Sequence, residues 1–234
     1  MRILAIDTAS NVATAAIVED DKLLGEFILN HKKTHSQKIM PVIDELLTSC
    51  ELSVEEIDLF AAANGPGSFT GLRIGVATVK GLAHATGKPV VGINTLEGLA
   101  WNVAGYPGTV VALMDARREQ VYTAAYRWDG EALETVQQAC VLPVKELLER
   151  QQQRCIFVGD GAVLHQELIQ KSLGGRAVIA PGNQQGQRAS SVAALALQKA
   201  KRGLTESYLT LEPFYLRKSQ AEQEYEKKAG KETK

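Results

Sequence analysis

The sequence has few cysteines and no long apolar run. Its three cysteines, Cys50, Cys140 and Cys155, lie far apart among 234 residues, and no CxxC pair occurs. We therefore expect neither a disulfide framework nor a zinc knuckle, but three free thiols in a reducing cytoplasm. No stretch approaches the roughly 18 apolar residues of a membrane span, and Asp7 interrupts the N-terminal apolar run too early for a signal peptide. The sequence predicts a cytoplasmic protein without a membrane anchor.

The chain also lacks an excess of charge of either sign. Lysine and arginine total 26 against 27 aspartates and glutamates, which gives a net charge of −1. This balance disfavours a protein that holds nucleic acid through a broad basic face of its own. Hydrophobic residues make up 45% of the sequence and charged residues 23%, as is usual in globular proteins. The length suits one large domain or two small lobes.

A repeated strand pattern favours two lobes. The segment LAIDTA at 4–9 resembles ALMDAR at 112–117, and a predicted β-hairpin follows each copy. Helical periodicity and capping signals predict helices at 39–50, 69–86, 95–103, 143–150, 163–173 and 190–201. Buried strands are predicted at 57–63, 90–93, 155–158 and 177–179. The prediction is an α/β fold of two related lobes, each with a mixed sheet and covering helices.

Asp7 and Asp115 end the first predicted strand of each copy. An acid in this position is a common way to place a carboxylate near a metal-bound phosphate in a cleft. In the first copy, Thr8 and Ala9 follow the acid at positions where a glycine would let a phosphate approach the bare backbone. Their Cβ atoms would crowd that approach. Two interpretations remain open: a vestigial nucleotide site at Asp7, Thr8 and Asp115, or carboxylates that cap turns.

The densest motif is the run NGPGSFTGLRIG at 64–75. It follows a predicted strand and opens a helix, where backbone N–H groups can hold an anion. Thr70 stands where a P-loop, a dinucleotide fingerprint or a nucleophile elbow would need glycine, so the run is none of these. The alternative is a loop shaped by its glycines, with Ser68 or Thr70 capping the helix. We define this motif loop by Gly65, Pro66, Gly67, Ser68, Phe69, Thr70 and Arg73.

Small residues recur inside the helix predicted at 69–86, with Gly71 and Gly75 one turn apart. Each glycine inside a helix lowers stability by about 0.5–1 kcal/mol relative to alanine. We therefore expect a compensating contact, close packing of this helix against a neighbour. The periodicity leaves open whether that packing is internal or against another chain.

Two further polar clusters are weaker indications of a functional site. His31 and His35 are four residues apart in a basic segment without a carboxylate, so we predict no metal site there. Arg117 and Arg118 follow Asp115, and this pair indicates either a salt-bridged turn or a contact to a phosphate or carboxylate.

Four segments together resemble the TsaB (YeaZ) family: 6–9, 65–75, 114–122 and 213–217. The resemblance extends from Met1 to about Arg217. It implies a two-lobed fold of the actin, sugar-kinase and Hsp70 type. We expect a first lobe at 1–104 with the dimerisation helices, a smaller second lobe at 105–218 and a flexible tail at 219–234.

The resemblance also implies a role in making N6-threonylcarbamoyladenosine in tRNA. In that pathway the related protein TsaD transfers the threonylcarbamoyl group, TsaB pairs with TsaD, and the ATPase TsaE joins them. The chain is then expected to be a non-catalytic subunit that forms a homodimer when TsaD is absent. It would have no cofactor of its own, ATP or ADP would lie at the interface of the complex, and tRNA would be an indirect partner.

TsaD-like proteins hold a catalytic metal with an HxxxH pair. The corresponding segment here is 93–99, where Thr95 and Leu99 stand in place of the histidines. Neither side chain can replace imidazole on a metal ion. The resemblance therefore implies no catalytic residue and no metal. The rival hypotheses are a small-molecule kinase or ATPase of the same superfamily, a metallopeptidase, and a simple binding module.

The family pairs through two helices of the first lobe. By resemblance, we expect the partner interface at Ile39, Val42, Ile43, Leu46, Gly71, Leu72, Ile74, Gly75 and Val79. On that basis, Gly75→Leu is expected to block pairing.

Overall fold

The computed structural model describes residues 1–30 and 35–217, without the side chains of residues 35–37. Residues 31–34, which include His31 of the basic segment, lie outside the described residues, and the helix predicted at 39–50 begins earlier, at His35. The tail predicted at 219–234 lies outside the described residues as well. Within the described ranges, no helix combines the length and the apolar character that crossing a membrane requires.

The first half of the chain forms one five-stranded mixed sheet with helices after its third, fourth and fifth strands. The strand order is β3-β2-β1-β4-β5, with β4 parallel to β1 and β5. The elements are β1 (Arg2–Asp7), β2 (Val12–Glu19), β3 (Lys22–Asn30), α1 (His35–Ser49), β4 (Leu59–Gly65), α2 (Phe69–Thr86), β5 (Val90–Asn94) and α3 (Thr95–Trp101).

The second half repeats this arrangement. Its strand order, read from the hairpin edge, is β8-β7-β6-β9-β10, which is the same topology as the first sheet. The predicted duplication and fold class are confirmed. The elements are β6 (Thr109–Asp115), β7 (Gln120–Trp128), β8 (Leu133–Pro143), α4 (Val144–Glu149), β9 (Cys155–Val158), α5 (Asp160–Leu164), α6 (Gln166–Leu173), β10 (Ala177–Ile179) and α7 (Ala189–Lys201).

Both faces of each sheet are covered. Strands β1 and β2 are buried along nearly their whole length, as expected for strands between two helical layers. One face of the first sheet packs against α1 and α2, and the other packs against α7. One face of the second sheet packs against α3, and the other packs against α4, α5 and α6.

The helix that ends each half packs mainly on the sheet of the other half. Leu96 and Leu99 of α3 join the apolar cluster of the second sheet, and Val192 and Leu195 of α7 join that of the first. The lobe boundary predicted at residue 104 therefore does not separate the two cores, and the last part of 105–218 belongs with the first lobe. The two halves interlock through these helices.

The structure corrects one further element. The helix predicted at 163–173 begins earlier, at Asp160, and is split into α5 and α6. His165 lies between them with φ −106° and ψ 17°, outside the helical region. The split turns α6 so that Ile169 and Leu173 are buried against the second sheet.

Ser68 is the N-cap of α2. Its hydroxyl accepts a hydrogen bond from the Gly71 N–H at 3.3 Å, whereas Thr70 lies inside the first turn. Ser68→Ala should destabilise the chain by about 1 kcal/mol, the usual effect of losing a serine cap. Urea denaturation measures the change, with Thr70→Ala as the matched variant. Equal effects of the two substitutions would contradict the assignment of the cap to Ser68.

Candidate functional site

The two lobes face each other across a cleft of about 400 Å³. The β1–β2 loop and the start of α2 form one wall, and the end of β6 and the entry to α5 form the other. A concave site between lobes with convergent polar groups is the expected place for a ligand. The polar side chains that line it are Ser10, Asn11, Ser68, Asp115, Arg117, Tyr122 and Asp160.

Asp115 lies in the cleft, as its position at a strand end predicts, but its carboxylate is occupied. Its Oδ1 accepts a hydrogen bond from the Arg117 N–H at 2.7 Å, and its Oδ2 lies 3.1 Å from Arg117 Nη1. Its own N–H donates to Asp160 Oδ1 at 3.1 Å. The salt-bridged turn is the arrangement observed, although 81% of the Arg117 side chain remains exposed.

The tip of the β6–β7 hairpin has an unusual backbone. Arg117, Arg118 and Glu119 have φ values of 65°, 56° and 57°, three successive left-handed residues without a glycine. Each such residue is uncommon and costs free energy, so the surroundings must hold the tip in place. The bond from Arg117 to Asp115, and that from the Val144 N–H to the Glu119 carbonyl at 3.0 Å, do so.

Asp7 lies behind the cleft wall and does not line the cleft. Its side chain is 2% exposed, and its Oδ1 accepts a hydrogen bond from the Ala9 N–H at 2.8 Å. Burial raises the pKa of Asp7 to about 7, and the bond from Ala9 offsets part of this increase. None of the described cations forms an ion pair with it.

Thr8 is directed away from the cleft. It is 1% exposed, and its hydroxyl donates to the Gly71 carbonyl of α2 at 2.7 Å. The Thr8 hydroxyl is thus committed to a buried bond, and a nucleotide contact by Thr8 stays a prediction. The neighbouring Ala9 carbonyl accepts from the Ser68 N–H at 2.7 Å. The β1–β2 loop is thus fastened to the start of α2.

The glycines of the motif loop allow this close approach. A Cβ on Gly67 would meet the carbonyl of Ala9, and a Cβ on Gly71 would meet the carbonyl of Thr8, both far inside van der Waals contact. A Cβ on Gly75 would lie 2.5 Å from Thr8 Oγ1. The packing that these glycines serve is therefore internal.

The motif loop also receives a segment from the end of the described chain. The Phe214 N–H donates to the Asn64 carbonyl at 2.6 Å, and the Phe214 carbonyl occupies the space beside Gly65 where a side chain would project. The ring of Tyr215 stacks on that of Phe69 with centroids 4.4 Å apart. Sequence reasoning noted 213–217 through the family resemblance alone and did not connect it with this loop.

Most of the predicted partner interface lies inside the protein. Seven of its nine residues are buried in the core of the first lobe: Ile39, Ile43, Leu46, Gly71, Leu72, Gly75 and Val79. Only Val42 and Ile74 are partly exposed. The seven buried positions are corrected: helical periodicity marks a packed face, and that face packs on the chain's own sheet. Gly75→Leu would damage the fold before it tested pairing.

A second cavity of about 850 Å³ adjoins the first and shares Ser10, Asn11 and Asp160 with it. Its walls include three strongly exposed apolar side chains, Ile28, Val163 and Leu164. On one side, the buried Gln187 accepts a hydrogen bond from the Ser10 hydroxyl at 2.6 Å.

Thr95 and Leu99, the counterparts of the expected histidine pair, are both buried on α3. The Thr95 hydroxyl has no hydrogen-bond partner within the described part of the chain. No group of three or more histidine, cysteine, aspartate or glutamate side chains suited to a metal ion occurs in that part either.

The duplicated sheets and the cleft between them define an actin-like protein of two lobes. Component A of the (R)-2-hydroxyglutaryl-CoA dehydratase of Acidaminococcus fermentans has the same fold. Its TM-score is 0.53 at 12% identity, over 86% of this chain and 99% of that one. At this identity the likeness extends to the fold alone.

Closer relatives narrow the class to a family. Residues 22–225 match the family model described as TsaD, tRNA N6-adenosine threonylcarbamoyltransferase. The TsaB protein of Bacillus subtilis is 35% identical over 217 residues, covering 90% of this chain and 95% of that protein. YeaZ from Pseudomonas aeruginosa has a TM-score of 0.78 at 25% identity, over 92% of this chain and 99% of that one. The chain belongs to the TsaB (YeaZ) family.

Proposed function

We propose that this chain is a non-catalytic subunit of the cytoplasmic complex that makes N6-threonylcarbamoyladenosine in tRNA. It pairs with a TsaD-type transferase and helps to recruit a TsaE-type ATPase. The names of its relatives, tRNA threonylcarbamoyladenosine biosynthesis proteins, support the pathway. The fastening of the β1–β2 loop supports the non-catalytic role most directly. The Thr8 hydroxyl and the Ala9 carbonyl bond to the start of α2, and the Ala9 N–H, which a phosphate would need as a donor, is bonded to Asp7.

The exposed ridge of α2 is the surface we propose for pairing. It carries small and apolar residues that are exposed or partly exposed: Ile74, Ala77, Thr78, Gly81 and Ala85. On the adjacent helix α1, Met40 is 48% exposed. Small residues on a helix face let another helix approach closely, so this ridge replaces the buried set predicted from the sequence. The same ridge would form the homodimer when the transferase is absent.

Gly81→Leu should abolish pairing at micromolar concentration. A Cβ on Gly81 has nothing within 4 Å, so leucine is tolerated by the fold but fills the space that a partner helix would take. Size-exclusion chromatography with light scattering measures the homodimer and the complex with the transferase.

Gly81→Ala, which keeps the ridge small, should pair normally. Gly175→Leu, at an equally open position in the second lobe, controls for added apolar surface. Unchanged pairing by a folded Gly81→Leu would contradict the α2 interface.

Reconstitution of tRNA modification tests the function itself. With purified components, threonylcarbamoyladenosine measured by mass spectrometry should require this chain and should be lost with Gly81→Leu. Equal product without the chain would overturn the proposal. We place ATP or ADP at the interface of the complex, and tRNA mainly on the other subunits, since the chain carries a net charge of only −1.

A small-molecule kinase or ATPase is the second candidate. The observation that favours it is Asp115, a strand-end carboxylate that does line the cleft. Its pairing with Arg117 and the fastened β1–β2 loop weigh against it. Turnover of ATP by the isolated chain that is lost with Asp115→Ala would support this candidate.

A further inference from the structure

Residues 206–217, which we name the strap, run back over the first lobe after α7. Glu206 forms an antiparallel bridge with Val90 at the edge of β5. Lys80 Nζ donates to two strap carbonyls, those of Leu209 at 3.4 Å and Leu211 at 3.1 Å. These contacts fix the first part of the strap to the first lobe.

The end of the strap lies on the motif loop. Tyr215 stacks on Phe69, and its hydroxyl accepts a hydrogen bond from Arg73 Nε at 3.0 Å. The guanidinium carbon of Arg73 lies 5.9 Å from the centroid of the same ring. Side chains of α2 therefore hold Tyr215 by its ring face, through Phe69, and by its hydroxyl, through Arg73.

The next two residues cross to the second lobe. Leu216 packs against the apolar cluster that spans both lobes and contains Leu72 as well as Ala116 and Tyr122. Arg217 Nη1 donates to the Ala116 carbonyl at 2.9 Å. Ala116 is the residue before the left-handed tip, and both Ala116 and Phe69 line the cleft.

We propose that residues 215–217 are a latch that joins the two walls of the cleft, and that releasing the latch loosens the β6–β7 tip and opens the cleft. One stacked ring fastens it to the first wall, one hydrogen bond fastens it to the second, and Leu216 packs on the apolar cluster that spans both lobes. A single hydrogen bond contributes little net free energy, so the latch can open without unfolding either sheet. This inference concerns the chain alone and does not depend on the pairing surface.

Hydrogen exchange read by mass spectrometry on the full chain tests the latch. Arg217→Ala removes the bond to Ala116 and should accelerate amide exchange in residues 115–122 about two- to twelvefold, the range expected from one hydrogen bond. Leu209→Ala is the matched strap variant, because the Leu209 side chain is 70% exposed and its carbonyl contact to Lys80 is retained. It should leave that exchange unchanged.

Tyr215 provides a second and independent variant. Tyr215→Ala should accelerate exchange in both 65–73 and 115–122, since loss of the stack releases the latch from the first wall. Tyr215→Phe keeps the stack and should protect 115–122 almost as well as the native residue. Exchange in 115–122 that is the same in Arg217→Ala and Leu209→Ala would overturn the latch, as would acceleration spread evenly over both sheets.

Discussion

Gly71→Ala should destabilise the chain by about 3 kcal/mol, the upper end of the usual cost of overpacking. The added Cβ would fall on the carbonyl of Thr8, which is backbone and cannot rotate away. Moving α2 outward to relieve this contact would break the buried bond from the Thr8 hydroxyl to the Gly71 carbonyl. Because alanine has the higher helix propensity, a loss of stability on this substitution can come only from the tertiary contact.

Gly81→Ala is the matched control in the same helix. Nothing lies within 4 Å of a Cβ there, so alanine should stabilise the chain by about 0.5–1 kcal/mol through helix propensity alone. Urea denaturation of the two variants and the native chain gives both differences. Stabilisation by both substitutions would show that α2 does not press on the β1–β2 loop.

The sequence predicted the existence of this packing but not its partner. The spacing of Gly71 and Gly75 indicated a close approach. The residue that approaches Gly71 is Thr8, which lies 63 residues away in the chain, and no local sequence pattern indicates that contact. The same limit explains the misplaced interface, because the period of Ile39, Ile43 and Leu46 marks a buried face without saying what buries it.

The duplicated topology was predictable because strands, turns and caps are encoded locally. The interlocking of the two halves was not predictable, since the apolar patterns of α3 and α7 do not indicate which sheet each helix covers. The latch was also beyond sequence reasoning. Tyr215 and Arg217 belong to a short polar and aromatic stretch without periodicity, and their contacts depend on where the folded lobes bring Phe69 and Ala116.

Asp7→Asn should make the chain more stable at pH 8 and change it little at pH 4 or below. The native carboxyl has a pKa of about 7 in the folded chain, against an ordinary value near 3.9 in the unfolded chain. Between these values the folded state holds a proton that the unfolded state has released, so native stability falls as the pH rises from about 4 to 7. The full difference corresponds to about 4 kcal/mol, and asparagine avoids it while its oxygen still accepts from the Ala9 N–H.

Denaturant titrations of the variant and the native chain at pH 4 and pH 8 measure this difference directly. Asp21→Asn is the control, because it makes the same substitution at a side chain that is 89% exposed, where it should change stability little. An Asp7→Asn effect that is the same at both pH values would mean that the carboxyl does not titrate near 7.

A buried carboxylate that lowers stability at neutral pH needs a reason to be kept. A stabilised Asp7→Asn chain that still supports tRNA modification would show that this function does not need the carboxylate, as expected for a non-catalytic subunit. A stabilised chain that no longer supports modification would give Asp7 a working role, most simply in holding nucleotide.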